Sequence, residues 1–480
     1  MISLGPLPAL TVDSDLRALA GRDARSLAHI LDGILRAVHF DVVNRELRLP
    51  QYGGDYDVRP FPLPGSPVDV AAMKVRLRQG EKTSPTADEH RLARRIRYAF
   101  AFFMFGEALA RDLLEQLFGK GEGGIIDEGV KLGLFVHAEG QTIRMNGLSL
   151  FSRRLGNGET IHLFADTPPY FDRRTERQRV YIGADSYELM DRISRMRVNS
   201  GCCVEMGSGS GIQLVAALKQ HPGITTAIGK ERDRRAANVS VFNSALNGVA
   251  DKITIIEGDL RLHDELNGCP VSVALSNPPF LAMPRWVDLE PGDRATVDAL
   301  ADIRETEGGP QLDLQSLFPE AGWGGDDGLE VTKSFVEALA PMLAPGTPFV
   351  IYSQFAGDRT SPMRMREYSQ HAGFEFAFEP LPSRPVFAWH PQTNDILEGR
   401  SCPVLTGEQA AETIARLIVS ALLARREPRR IQTTVRKGSP EQRLVANLSE
   451  KIQQSYRAQG ISHFHDGFAV LIKQPADPNS

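Results

Sequence analysis

The stretch CCVEMGSGSG, residues 202–211, joins an apolar run to three alternating glycines. An apolar run of this length is typical of a buried strand, and the glycines allow a sharp turn and the close approach of a ligand. A helical pattern follows over 211–220. The stretch therefore predicts the strand, loop and helix that open a nucleotide-binding α/β sheet.

Apolar and helical patterns continue to alternate after this unit. Helical patterns at 234–246 and 328–343 separate further apolar runs. These runs are TTAIG (225–229), ITII (253–256), VSVALS (271–276) and PFVIYS (348–353). The alternation predicts an α/β fold with a doubly wound, Rossmann-like parallel sheet.

Two more strand patterns, at 374–378 and 467–473, end the sheet. Between them lie helical patterns near 407–425 and 439–458. We therefore expect an insertion at about 380–460, before the last strand.

The 480 residues divide into three regions. Residues 1–67 read as an N-terminal helical segment with a proline-rich linker. Residues 68–197 read as a winged-helix-like α+β domain and a bridging segment, because helical patterns precede the hairpin pattern LFVHAEGQTIRM at 134–145. A generic α+β packing module is the alternative. The α/β domain occupies 198–480.

Composition places the chain among ordinary globular proteins. It is 42% hydrophobic and 24% charged, which excludes collagen, coiled-coil and wholly disordered classes. The longest apolar stretch, 98–105, is too short to cross a membrane, and the first residues lack a signal-peptide pattern. The four cysteines form no CxxC pair, which suits a reducing compartment. We expect a cytoplasmic protein without a membrane partner or a structural zinc.

Acidic residues follow the predicted strands at positions that suit a nucleoside. Glu231 closes the second strand about twenty residues after Gly211, where a carboxylate accepts hydrogen bonds from ribose hydroxyls. Asp259 follows the third strand and is placed to meet an adenine amino group. The GxGxG spacing with Glu205 suits a ligand that carries a cationic amino-acid part and no pyrophosphate.

The tetrapeptide Asn277-Pro278-Pro279-Phe280 follows the fourth strand. The prolines fix the backbone and donate no hydrogen bond, so the Asn277 side-chain oxygen and the Pro278 carbonyl can accept from one NH₂ group. Phe280 can stack on a planar substrate. The motif predicts a site for a planar nitrogen.

These ordered motifs resemble those of class I S-adenosylmethionine-dependent methyltransferases. The matching elements are ExGxGxG at 205–211, Glu231, FNSALNGV at 242–249 and GD at 258–259. NPPF and GGDDGLEVTKSFVEALAPML (324–343) are similar to the release-factor glutamine methyltransferases and related N-methyltransferases. The resemblance covers about 200–355 and the final strand.

The resemblance implies S-adenosyl-L-methionine as the cofactor, with Asn277, Pro278 and Phe280 as the catalytic residues. It implies cofactor contacts from Glu205, Gly207, Ser208, Gly209, Gly211, Glu231, Asp259 and Asn277.

Acidic residues dominate the segment after NPPF, which we term the acidic lid (281–327). Residues 281–330 contain twelve carboxylates and only three arginines. This excess of negative charge disfavours a phosphate backbone and favours a neutral or cationic substrate such as a guanidinium. Carboxylates that merely solvate a surface loop are the alternative. Asp185, Ser186 and Trp286 are substrate candidates, with helix capping the alternative for the first two.

His463 and His465 lack a further ligand, so we expect no metal.

The sequence leaves three candidate functions. The first is an N-methyltransferase acting on an amide or guanidinium nitrogen of a small molecule, peptide or protein. The second is an RNA nucleobase N-methyltransferase, in which the winged-helix-like domain and a basic stretch at 425–443 bind RNA. The third is a non-catalytic cofactor-binding protein. A net charge of −5 disfavours a nucleic-acid partner.

Overall fold

The structure is a computed structural model. It describes residues 15–38, 40, 94–96, 98–119, 123–167, 179–258, 270–301, 311–314, 322–382, 385–390, 395–400, 402–426 and 438–475. The predicted linker at 50–67, Asp259 and most of the basic stretch lie outside the described residues. No helix in these ranges is long and apolar enough to cross a membrane.

A twisted sheet of eight strands forms the centre of the molecule. Its strands are β6 (Gly201–Met206), β7 (Ile224–Glu231), β8 (Ile253–Glu257), β9 (Val271–Ser276), β12 (Pro348–Gly357), β13 (Phe374–Pro380), β16 (Val404–Thr406) and β17 (His463–Lys473). Seven of them run across the sheet in the order β13-β17-β12-β9-β6-β7-β8, and β16 adds to β17.

The strand order defines a doubly wound sheet. β8, β7, β6, β9 and β12 are parallel, and their order reverses between β6 and β9, which is the Rossmann arrangement. The last strand, β17, enters antiparallel between β12 and β13. The predicted Rossmann-like α/β fold is confirmed.

Helices cover the two faces of this sheet. They are α4 (Ala184–Ile193), α5 (Ile212–Gln220), α6 (Arg234–Leu246), α8 (Glu330–Leu339) and α9 (Met363–His371). Strands β6 and β9 bury nearly every residue, and β7 buries residues 227–230, because helices lie on both sides, which explains why these stretches read as continuous apolar runs.

The N-terminal part contains α1 (Arg22–Ala37), a π-helix (Phe100–Met104), α2 (Arg111–Phe118) and α3 (Gly123–Lys131). A three-stranded sheet follows, ordered β1 (Leu109–Ala110), β3 (Thr142–Met145) and β2 (Phe135–His137). The predicted hairpin is thus β2–β3, whereas the winged-helix interpretation stays a prediction.

The apolar residues of 90–118 follow a helical spacing in the sequence, but the described part of this range is not one helix. It is interrupted after the π-helix at Gly106, whose φ of 62° is left-handed, and β1 then intervenes. The spacing of apolar residues continues across the break because both segments face one phenylalanine-rich core.

A bridging hairpin, β4 (Leu148–Arg154) and β5 (Thr160–Asp166), joins this part to the α/β domain. Two buried asparagines of the FNSALNGV motif bond its edge. Asn243 donates to and accepts from the backbone of Phe164, and Asn247 does the same with His162, at 2.7–2.9 Å. Part of the motif's role is therefore to pair with the hairpin.

A second core lies beyond NPPF. It forms between α7 (Pro291–Ala301), α10 (Gly407–Arg426), α11 (Pro440–Ala458) and the hairpin of β10 (Trp286–Asp288) with β11 (Gln311–Asp313). The predicted insertion therefore contains α10 and α11, and also the hairpin β14 (Pro385–His390) and β15 (Asp395–Arg400). The lid and the insertion form one subdomain beside the strand ends.

Candidate active site

The glycine loop connects β6 to α5 at the carboxyl edge of the sheet. Gly207, Gly209 and Gly211 have φ values of 70°, 52° and 77°, which side-chain-bearing residues rarely adopt. A Cβ on Gly211 would lie 2.3 Å from the Ser240 Oγ of α6. Gly211 therefore allows α5 and α6 to pack closely. It does not line the cavity that lies beside the loop and is described below.

We expect Gly211→Ala to lower the free energy of unfolding by about 2–5 kcal/mol, since it adds a steric clash to backbone strain. The matched control is Gly248→Ala, because Gly248 has a φ of 69° and an added Cβ there would have nothing within 4 Å. That variant should cost only about 1 kcal/mol. Urea denaturation measures both, and equal losses would contradict the packing role of Gly211.

Two carboxylates approach the loop from the strand ends. Glu231 accepts from the Gly209 N–H at 2.7 Å and from the Asp233 N–H at 2.8 Å. Glu205 is buried in β6, and its Oε2 has no hydrogen-bond partner among the described residues. Burial raises the pKa of both groups, and the charge of Glu231 raises that of Glu205 further.

A cavity of about 490 Å³ opens between the glycine loop, the end of β7 and NPPF. Six of the predicted cofactor residues line it: Glu205, Gly207, Ser208, Gly209, Glu231 and Asn277. Gly258 also lines it, at the last described position before Asp259. The volume is that of a small-molecule site, and it lies at the switch point of the sheet.

The cavity is also lined by residues that were not among the predicted site residues: Arg179, Tyr181, Ser210, Ile212, Gln213, Lys230, Arg232, Asp233, Trp323, Glu330, Val331, Ser334 and Phe335. Trp323 forms one wall, and its Nε1 donates to the Met283 carbonyl at 3.0 Å. Of these lining residues, Arg179, Tyr181 and Trp323 come from segments that reach the cavity only through tertiary packing.

Asn277 lies where β9 ends. Its Nδ2 donates to Asp185 Oδ2 at 2.8 Å, with Ser186 Oγ at 3.4 Å. Its Oδ1 is buried and has no hydrogen-bond partner among the described residues. The Asn277 side-chain oxygen is therefore available to accept a hydrogen bond from a ligand.

Asp185 and Ser186 begin α4 and differ in their position relative to the cavity. Ser186 lines it, whereas Asp185 is behind Asn277 and does not. Ser186 Oγ also accepts from the Gly183 N–H at 3.2 Å. Helix capping and placement at the site thus coexist in Ser186.

The rest of NPPF is held by surrounding groups. The Phe280 ring meets the edge of Tyr352, with 5.8 Å between the ring centroids, and Phe280 and Pro278 do not line the cavity, whereas Pro279 does. Tyr352 donates to Asp466 at 2.8 Å.

The loop at 322–328 packs against NPPF. Leu281 exchanges backbone hydrogen bonds with Gly322 and Gly324, at 2.9 and 3.0 Å. A Cβ on Gly324 would lie 2.7 Å from the Phe280 Cα, so glycine permits this contact. The GG-x-DGL element therefore supports the NPPF backbone.

The described acidic-lid residues mostly have other partners. Asp293 accepts from Asn447, Asp298 pairs with Arg294, and Asp327 pairs with Lys333. Asp302, Glu305, Glu307 and Glu320 lie outside the described residues. Among the described acidic residues of 281–330, Glu330 lines the cavity.

The remaining predicted residues lie apart from the cavity. Trp286 is 50% exposed on β10, beside the Arg285 guanidinium. His465 bonds the Asp358 carbonyl at 2.7 Å, and His463 bonds Ser462. Across the described part of the chain, no cluster of three or more His, Cys, Asp or Glu residues is arranged to hold a metal.

The cavity's chemistry suits a cationic ligand with hydroxyl groups. Glu205 and Glu231 are buried carboxylates, and burial of a carboxylate is costly unless a positive group compensates it. The unpartnered Glu205 Oε2 can accept from an ammonium group, and the oxygens of Glu231 can share hydrogen bonds with a diol.

Comparisons with known proteins find distant structural likeness to methyltransferases. No family model matches the sequence, and no curated protein does. Solved structures similar to the chain include an O-methyltransferase family protein from Burkholderia thailandensis, with 12% identity over 66% of this chain and 95% of that one, and a TM-score of 0.28.

Two others have comparable scores. Precorrin-6y C5,15-methyltransferase from Geobacter metallireducens has 11% identity over 46% of this chain and 85% of that one, with a TM-score of 0.26. Phosphoethanolamine N-methyltransferase 2 from Haemonchus contortus, in complex with S-adenosylhomocysteine, has 12% identity over 60% and 52%, with a TM-score of 0.27. At these scores the likeness assigns no activity, and the fold rests on the strand order.

Proposed function

We propose that the chain is an S-adenosylmethionine-dependent methyltransferase that methylates a planar nitrogen, an amide or a guanidinium, of a small molecule, peptide or protein. The observation that carries the proposal is the buried, unpartnered Oδ1 of Asn277 in the same cavity as the glycine loop. An NH₂ group donates to such an acceptor, and the loop supplies the backbone approach that the cofactor needs.

Different residues of the cavity are proposed to bind the cofactor and the methyl acceptor. S-adenosylmethionine supplies an electrophilic methyl group on a sulfonium when it is bound. Glu205 would hold the ammonium of the cofactor, Glu231 would bind its ribose, and the glycine loop would let it approach the backbone closely. Gly258 directly follows β8, and we propose that the next residue in the sequence, Asp259, contacts the adenine.

Asn277 Oδ1 accepts a hydrogen bond from one N–H of the incoming nitrogen, and the Pro278 carbonyl, although Pro278 does not line the cavity, is the predicted acceptor for the other. This raises electron density on the nitrogen and directs it at the methyl group. The methyl transfer would form an N–C bond as the S–C bond of the sulfonium breaks, and the nitrogen would release its proton to solvent. For a guanidinium, a carboxylate must localise the charge, and Glu330, three residues beyond the acidic lid, lines the cavity.

The pH dependence of cofactor affinity tests the role of Glu205. Because burial raises the pKa of Glu205 and Glu231, both take up protons at a higher pH than an exposed glutamate does, and a protonated carboxyl no longer balances a cation. As pH is lowered through these raised pKa values, affinity for S-adenosylhomocysteine, which keeps the ammonium, should fall by up to about tenfold per pH unit for each group that titrates. Calorimetric titration measures it.

Glu205→Gln is the control variant. It should bind more weakly at neutral pH and show a smaller slope of affinity against pH, since one of the two titrating groups is gone. A slope identical to that of the wild type would contradict the contact between Glu205 and the ammonium.

The acceptor class is tested by label transfer. The purified chain is incubated with methyl-labelled S-adenosylmethionine and a desalted cell extract, and label is counted in small-molecule, protein and RNA fractions. Label on amide or guanidinium nitrogens in the first two fractions supports the proposal. Label in RNA would instead favour a nucleobase methyltransferase, and label on oxygen or carbon would contradict a planar-nitrogen acceptor.

A further inference from the structure

We propose that Asp185 is a positioning residue, which fixes the Asn277 amide with its oxygen toward the acceptor and its nitrogen away from it. This inference rests on the proposed function and deepens it. It makes the choice of an NH₂ acceptor depend on a carboxylate that does not touch the substrate.

An asparagine amide has two orientations that differ by a half-turn. In one the oxygen faces the cavity and accepts from an NH₂ group, whereas in the other an NH₂ faces the cavity and opposes the acceptor's own donors. Only the first orientation can hold the acceptor nitrogen. Something in the protein must therefore select it.

Asp185 is the group that makes this selection. An ionised carboxylate only accepts, so its Oδ2, 2.8 Å from Asn277 Nδ2, requires the amide nitrogen on that side. The oxygen then points the other way, where it is buried and unpartnered among the described residues. Ser186 Oγ, at 3.4 Å, is a weaker partner and can donate as well as accept.

The carboxylate is itself held in place. Tyr181 donates to its Oδ1 at 3.0 Å, so the two oxygens have separate partners. Asp185 lies in the first turn of α4, where a negative charge is favoured. Burial nevertheless raises its pKa, and the hydrogen bonds from Asn277 and Tyr181 offset this only in part.

The raised pKa indicates that the ionised carboxylate costs stability at neutral pH, because the unfolded chain holds that charge in water. A purely structural residue would not be expected to carry such a cost. Replacing Asp185 by Asn removes the buried charge and keeps the shape, yet leaves either orientation of Asn277 possible. Stability and turnover should therefore change in opposite directions.

The experiment measures transfer of label from S-adenosylmethionine into extract fractions, affinity for S-adenosylhomocysteine, and melting temperature. Asp185→Asn should reduce kcat about 10- to 100-fold, leave the affinity within about threefold, and not lower the melting temperature. Asp191→Asn is the matched control, since Asp191 lies on the same helix and bonds Arg153 instead. It should keep wild-type turnover.

The reciprocal exchange supplies a rescue. Asn277→Asp alone brings two carboxylates together and should be the poorer single variant. In the double variant Asp185→Asn and Asn277→Asp, an amide again donates to one oxygen and leaves the other facing the acceptor. Its turnover should exceed the product of the two single effects by about tenfold or more.

Wild-type turnover in Asp185→Asn, or a double variant no better than that product, would overturn the positioning role. If Asp185→Asn fails to fold, Asp185→Ser also removes the carboxylate and should lose turnover to the same extent. A wild-type chain that binds S-adenosylhomocysteine and labels no fraction would overturn the proposed function itself, and this inference with it.

Discussion

Asn277→Ala should abolish methyl transfer while leaving cofactor binding intact. The variant removes the oxygen that receives the acceptor, and loss of one preorganised hydrogen-bonding group at a reacting centre costs about 10²–10³ in kcat. The glycine loop, Glu205 and Glu231 remain in place, so the affinity for S-adenosylhomocysteine should stay within about threefold. Label transfer and calorimetric titration measure the two quantities.

A matched control separates this effect from general damage. Asn238→Ala removes another partly buried amide, which lies in the second turn of α6, does not line the cavity, and donates to the Asp15 carbonyl at 2.8 Å. It should keep wild-type turnover. Undiminished transfer by Asn277→Ala would remove the basis for the proposed function, whereas a joint loss of transfer and binding would point to a structural defect.

Gly324→Ala should be nearly as damaging, although Gly324 does not line the cavity. An added Cβ would lie 2.7 Å from the Phe280 Cα, 2.8 Å from the Pro279 carbonyl and 2.9 Å from that of Gly328. These are backbone atoms that cannot rotate away, so NPPF must shift. A shift of about 1 Å at a reacting centre can reduce turnover about 10²-fold.

The control for this variant is Gly292→Ala in the same lid. Gly292 has nothing within 4 Å of an added Cβ, so turnover should not change. Label transfer measures turnover, and circular dichroism checks that both variants fold. Wild-type turnover in Gly324→Ala would show that the loop at 322–328 does not set the position of NPPF.

The sheet was predictable because its signals are local. Strands β6 and β9 are buried on both faces and so read as continuous apolar runs, as do residues 227–230 of β7, and left-handed glycines follow β6. The doubly wound parallel class followed from the alternation of strands and helices, whereas the order of the strands required the structure. The antiparallel pairing of β17 and the exact ends of α8, which is shorter than the predicted helix, required the structure.

The residues around the cavity were only partly predictable. Glu205, Glu231 and Asn277 lie at strand ends, where chain position and chemistry coincide. Tyr181 and Trp323 come from segments far from these strand ends in the sequence, and no periodic pattern predicts that they line the cavity. Trp286, a predicted substrate residue, lies on β10, which pairs with β11 and leaves the Trp286 side chain half exposed and outside the cavity.

The lid illustrates how charge counting can mislead. Its excess of carboxylates is real in the sequence, yet Asp293 and Asp298 bond partners within the same subdomain, and Asp327 pairs with Lys333 of α8. The placement of Asp293 and Asp298 depends on how α7 packs against α10 and α11, which the sequence pattern does not specify. Among the described carboxylates of 281–330, the preference for a cationic acceptor therefore rests on Glu330, just beyond the lid, rather than on the count.

Titration of the purified chain with S-adenosylhomocysteine tests the central claim most directly, because cofactor, acceptor and positioning roles all depend on the same cavity. We predict saturable binding of one molecule per chain, weakened about tenfold or more by Glu231→Ala, which removes both hydrogen-bonding oxygens at the end of β7. Absence of binding at millimolar ligand, or equal binding by Glu231→Ala, would contradict the assignment of this cavity to the cofactor.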